Sequence, residues 1–169
     1  MRLKITFKLP SKKQVLPLNY QYPVSAWIYK VLAKNDRQFA RFLHEEGFKM
    51  ENQKTFKLFT FSNLQFPANT THIIKGTDRM EIKTDKASLV LAFQIPVTAE
   101  KFVAGLFQEQ KATIGDRINT VEMEVETIEL MKEPVFQPVM RIRTLSPVVI
   151  TRKTENDLLK LPFKAAYMF

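Results

Sequence analysis

Alternating apolar residues near both ends and a helical stripe between them predict an α+β domain, an antiparallel sheet with helices on one face. Leu3, Ile5 and Phe7 alternate with Lys4, Thr6 and Lys8, which is the period of a half-buried strand. Residues 118–130 alternate in the same way, with Val121, Met123 and Val125 inward and Glu122, Glu124 and Glu126 outward. Between them, Val24, Trp27, Ile28, Val31 and Leu32 keep the i, i+3, i+4, i+7, i+8 spacing of an amphipathic helix. In chain order the elements condense to βαββαβ, the ferredoxin-like (RRM-like) arrangement.

After the first strand, Pro10 and Pro17 bracket a basic loop, Ser11-Lys12-Lys13. Pro23 marks a helix start, because its fixed φ suits the first turn. Asn35-Asp36 ends that helix and offers a cap to a second, with Phe39, Phe42 and Leu43 inward and Gly47 as its stop. Residues 55–66 read as one long strand broken by Pro67. Residues 72–75 and 79–83 read as a hairpin across Gly76-Thr77-Asp78. Ser88 to Ile95 is a nearly continuous apolar strand, closed by Pro96. Thr98 is positioned to cap a third helix that runs to about Gln108 through Phe102, Val103, Leu106 and Phe107. Met140 to Val149 reads as a last strand. Residues 1–150 therefore form the expected domain, and Asp157, Leu158 and Leu159 give the remainder helical character but too little length for a second core.

With 169 residues, 45% of them hydrophobic and 11% aromatic, the chain has material for one real core and is not a disordered tail. No apolar run approaches the ~20 residues of a membrane span, and Met1-Arg2-Leu3-Lys4-Ile5 reads as a strand rather than a signal peptide. A cytoplasmic location is the expectation. The absence of cysteine removes disulfides, thiolate ligands and thiol nucleophiles together. The net charge of +9 is segregated: residues 1–60 hold 12 Lys/Arg against 4 Asp/Glu, residues 61–134 hold 8 against 11, and residues 135–169 hold 6 against 2. Basic charge concentrated in one part of a domain suits a polyanion such as nucleic acid.

The two histidines, His44 and His72, lie far apart with no metal-ligand spacing. Glu122, Glu124 and Glu126 are one strand's solvent face. Gly47, Gly76, Gly105 and Gly115 form no phosphate-cradling loop. No metal and no cofactor is expected. Helical geometry singles out Tyr29 and His44. Tyr29 follows the core pair Trp27-Ile28 and His44 follows Phe42-Leu43, so each lies about 100–130° off its stripe, on the helix shoulder. Two helices packed side by side would turn both toward one cleft. Taken singly, a shoulder tyrosine is usually a lid on the core, a shoulder histidine a surface residue and a strand lysine a solvated charge.

Three phrases give these residues a shared context. They are Asn19-Tyr20-Gln21-Tyr22-Pro23 leading into Trp27-Ile28-Tyr29, Phe42-Leu43-His44-Glu45-Glu46-Gly47, and Phe56-Lys57-Leu58-Phe59-Thr60-Phe61-Ser62. With Thr144-Leu145-Ser146-Pro147-Val148-Val149, they resemble the CRISPR-associated endoribonuclease family of the RAMP superfamily, which processes precursor CRISPR RNA by cutting within its repeats. The resemblance implies a catalytic triad of Tyr29, His44 and Lys57. It implies His44 as general acid/base, Lys57 as charge stabiliser and Tyr29 as the group activating or orienting the 2′-hydroxyl, an order of roles left open. It also implies metal-independent cleavage by 2′-hydroxyl attack, leaving a 2′,3′-cyclic phosphate and a 5′-hydroxyl.

The candidates for RNA grip are Lys12, Lys13, Lys30, Lys34, Arg37, Arg41, Lys49 and Lys54, with Arg141 and Arg143 on one face of the last strand. The expected partner is CRISPR repeat RNA, with room for other CRISPR-associated effector proteins and a homodimer, and no membrane. The family continues into a second ferredoxin-like domain with a glycine-rich loop, so residues 151–169 read as the start of a missing or truncated second domain. The alternatives are a non-catalytic RNA-binding ferredoxin-like module of a CRISPR effector complex and a protein-contact scaffold.

Overall fold

β1 (Arg2–Lys8) is the middle strand of a five-stranded antiparallel sheet, as its alternation demands: Leu3, Ile5 and Phe7 are buried and the residues between them are not. The computed structural model describes residues 1–10, 13–49, 55–133 and 138–139. The chain divides into two units, Met1–Glu133 and Pro134–Phe169, and every element named here lies in the first. The elements following β1 are β2 (Gln14–Pro17), α1 (Gln21–Asn35), α2 (Arg37–Glu45), β3 (Phe48–Lys49), β4 (Thr55–Phe56) and β5 (Phe59–Phe61). Then come β6 (Thr71–Ile73), β7 (Arg79–Ile82), β8 (Lys86–Phe93), α3 (Pro96–Gln108), β9 (Lys111–Gly115) and β10 (Thr120–Leu130).

The main sheet has the order β5-β8-β1-β10-β9. With β9 set aside, β1-α1-β5-β8-α3-β10 is the ferredoxin-like βαββαβ, and α1 packs on α3. Their buried residues meet those of β1, β8 and β10 in one core. At its centre Trp27 stands edge-on to Phe7, at 5.7 Å, and to Phe102, at 5.8 Å. Truncating a buried aromatic of this kind to alanine typically costs ~3–5 kcal/mol. Gly105 lets the two helices touch, since a Cβ there would lie 2.0 Å from the carbonyl oxygen of Val31.

The expected stripe of α1 is buried throughout. Asp36 caps α2 as its position suggests, its carboxylate accepting from the Phe39 N–H at 2.9 Å. The hairpin across Gly76 forms as β6 and β7. Four expectations need correction. The 55–66 strand is two strands in different sheets, because Leu58 adopts φ +54° and reverses the alternation. Thr98 does not cap α3: the helix begins at Pro96, and Thr98 is buried inside it with no hydroxyl partner among the described residues. The alternation of β10 is not continuous, because Phe7 pairs with Val125 while Thr6 pairs with Thr127, leaving Glu126 as a bulge. The loop between Pro10 and Pro17 contains the strand β2, an edge of the sheet β2-β7-β6, where a terminal proline is tolerated. Strand β9 has no counterpart in the sequence reading. The expected strand at 140–149 and everything from 140 onward lie outside the described residues. Among those residues no helix is long and apolar enough to cross a membrane.

Candidate functional site

Tyr29, His44 and Lys57 meet where α1, α2 and the turn before β5 come together. Tyr29 leaves α1 one residue after the fully buried Ile28 and is itself half-buried. Its ring lies edge-on to the His44 imidazole, with centroids 4.8 Å apart at 83°, and edge-on to Phe59 at 5.6 Å. Phe59 in turn leans on core Phe93 at 6.0 Å. The tyrosine is therefore braced from the sheet side by an aromatic rooted in the core. His44 sits in the last turn of α2 and is exposed. Among the described residues nothing hydrogen-bonds to its ring or to the Tyr29 hydroxyl.

The lysine arrives by a non-local route. Glu46 and Gly47 N–H both donate to the Phe42 carbonyl, and Gly47 turns the chain at φ +70°. A Cβ on Gly47 would lie 2.8 Å from the Phe56 carbonyl oxygen, so only glycine lets β4 approach the end of α2 this closely. Lys57 follows directly, in the kink before Leu58, and its Nζ donates to the backbone carbonyl of His44. Burial pushes the Tyr29 phenol above its ordinary pKa. A phenol against an imidazole, with an ammonium held at the backbone carbonyl of that histidine, is a set that can orient a hydroxyl, move protons and offset developing negative charge.

The basic candidates separate into groups. Arg37 and Arg41 share with His44 the i, i+4, i+7 positions of α2, one row about 10 Å long. Arg41 also pairs with Glu45 at 3.0 Å, an exposed contact of little strength. Lys49 is exposed on β3. Lys30 and Lys34 occupy the other flank of α1, where both bind Glu109, at 3.2 and 2.8 Å. Those two bonds, Lys34 first, hold the Glu109 carboxyl below its usual range. Lys13 pairs with Glu81 at 3.2 Å on the smaller sheet. His72 lies on β6, exposed and away from the triad's elements. Lys12, Lys54, Arg141 and Arg143 lie outside the described residues. Phe59 and Gly47 are the positional determinants that sequence reasoning did not assign. Both stand inside the quoted phrases, but the break at Leu58 hid which way Phe59 faces. Among the described residues, no three His, Asp or Glu side chains cluster as metal ligands would.

Comparison with known proteins returns a consistent set. The family described as "CRISPR-associated protein Cas6, N-terminal" matches residues 15–128. A "CRISPR-associated endoribonuclease Cas6 1" from Methanocaldococcus jannaschii is 28% identical over 143 residues, 85% of this chain and 50% of that protein. The chain thus spans half the length of that relative. A solved structure described as a Cas6-related gene from Pyrococcus furiosus superposes with a TM-score of 0.71 at 24% identity, covering 93% of this chain and 58% of that one. A structure described as "CRISPR associated protein Cas6" gives 0.61 at 27% identity, covering 99% and 64%. A third, "An RAMP protein binding different RNA substrates", gives 0.60 at 19% identity, covering 93% and 60%. The first and third of these structures bear on the fold alone.

Proposed function

The chain belongs to the CRISPR-associated protein Cas6 family, whose N-terminal region it matches, and from that premise we propose that it acts in precursor CRISPR RNA processing as a metal-independent endoribonuclease centred on Tyr29, His44 and Lys57. The observation that carries the reading is the edge contact of Tyr29 with His44, with the Lys57 ammonium held at the His44 backbone.

In this reaction the ribose 2′-oxygen attacks its own 3′-phosphorus. The 2′-proton leaves to a base, the P–O5′ bond breaks, and the departing 5′-oxygen takes a proton. The products are a 2′,3′-cyclic phosphate and a 5′-hydroxyl. His44 moves the protons, the task for which an imidazole is suited near neutral pH. Tyr29, a phenol and so protonated near neutral pH, activates or orients the 2′-hydroxyl through a hydrogen bond. Lys57 exchanges its carbonyl partner for the phosphate and offsets the charge that builds on phosphorus. The Arg37–Arg41 row, with Lys49 beyond Gly47, grips backbone phosphates on the approach to His44. Lys30 and Lys34 join that grip only where RNA displaces Glu109.

The test is repeat RNA incubated with the chain in excess chelator. Cutting is expected to persist, to leave the cyclic phosphate, and to stop when the scissile nucleotide is 2′-deoxy. Cutting that requires magnesium, or that survives the 2′-deoxy substitution, overturns the mechanism.

A further inference from the structure

The face of α1 that carries Tyr29 continues for two turns to an aromatic ring that the proposed reaction does not use. Tyr22 is 82% exposed, more than any other aromatic side chain among the described residues. It lies seven residues before Tyr29, which places it about 20° away around the helix and about 10.5 Å along it. Ala26, between them on that face, is exposed and small. Below this face runs the segment 59–63. Phe59 touches Tyr29 at one end, and at the other the Gln21 side-chain amide donates to Asn63 Oδ1 at 3.1 Å. Among the described residues, the Gln21 carboxamide oxygen and the Asn63 amide nitrogen have no partner.

We propose that Tyr22, flanked by the Gln21–Asn63 amide pair, is a nucleobase-stacking subsite for a single-stranded nucleotide of the substrate RNA close to the scissile linkage. The subsite rests on the RNA-processing reading above and names where that substrate is held. An exposed tyrosine gains nothing from the core, whereas its flat face stacks on any base. Paired carboxamides present a donor and an acceptor to a base edge. The separation from Tyr29, about 10.5 Å along the helix axis, is within the reach of a few nucleotides of one strand. The net positive charge of residues 1–60 and the Arg37–Arg41 row favour a polyanionic strand as the occupant.

The experiment is equilibrium binding of the full chain to single-stranded RNA dodecamers carrying 2-aminopurine at successive positions, at two salt concentrations. Tyr22→Ala is expected to weaken binding roughly five- to a hundredfold, to abolish quenching at one position, and to leave the salt slope unchanged. Tyr22→Phe retains the ring and is expected to bind within about twofold of wild type. Phe107→Ala, which removes an exposed aromatic from α3, should bind as wild type does. Wild-type affinity in Tyr22→Ala, or a Tyr22→Phe as weak as the alanine variant, overturns the subsite and leaves the processing reading standing. A wild-type chain that binds none of the dodecamers overturns both.

Discussion

The two flanks of α1 carry neighbouring residues to opposite ends. Tyr29 turns toward α2 and β5, where it meets His44 and Phe59 through ring edges. Lys30, one residue later, turns toward the end of α3 and shares Glu109 with Lys34. A single step of about 100° separates an open chemical surface from a neutralised one. A count of basic residues along the sequence overstates the grip on a polyanion, because four of the candidate cations, Lys13, Lys30, Lys34 and Arg41, already have a carboxylate. What matters is which face a charge occupies and what it has found there.

Substitutions can break or sharpen that contrast. His44→Ala is expected to lower the cleavage rate by about 10²–10⁴-fold while RNA affinity stays within a few-fold, measured by single-turnover cleavage beside filter binding. A variant that keeps full function would instead mark a module that binds without cutting. Gly105→Ala drives a methyl against the Val31 carbonyl and should destabilise the fold by about 1–3 kcal/mol in urea unfolding, by pushing α3 off the structural flank. Tyr29→Phe deletes one hydrogen bond and keeps the ring packing, so cutting should fall about two- to tenfold with no loss of stability.

The charge comparison gives smaller effects. Arg37→Ala and Arg41→Ala should each weaken RNA binding a few-fold and reduce the salt slope by about one. The Lys30→Ala/Lys34→Ala double variant should change affinity by less than about twofold. Glu109 adds a pH signature. Its folded-state pKa lies below the unfolded value, so its contribution to stability is present above the ordinary carboxylate range and is lost as pH falls through the depressed value. Glu109→Gln should therefore melt about one to three degrees below wild type at neutral pH, and the difference should vanish in acid.

How the active-site candidates were legible differs from residue to residue. Tyr29 and His44 stand on helix shoulders, and a helix's angular order is set by local geometry, so a stripe of apolar residues locates everything else around the axis. Asp36 was legible as a cap for the same reason. Lys57 was not placed by periodicity. Its strand breaks at Leu58, where φ turns positive, and its neighbour on α2 is chosen by a close approach across Gly47. The Glu126 bulge and the partners of β2 and β9 were equally hidden, because register is settled between strands and not along one.

The amino-acid order alone determined the helices, the alternating strands and the phrases that mark a repeat-RNA nuclease family, since each depends on short-range period or on residue identity. Tertiary structure decided that the Tyr29 and His44 rings meet, that the Lys57 ammonium reaches the His44 backbone, and that Lys30 and Lys34 turn instead to Glu109. Those outcomes depend on distances between segments far apart in sequence, and such distances arise only when the helices close on the sheet.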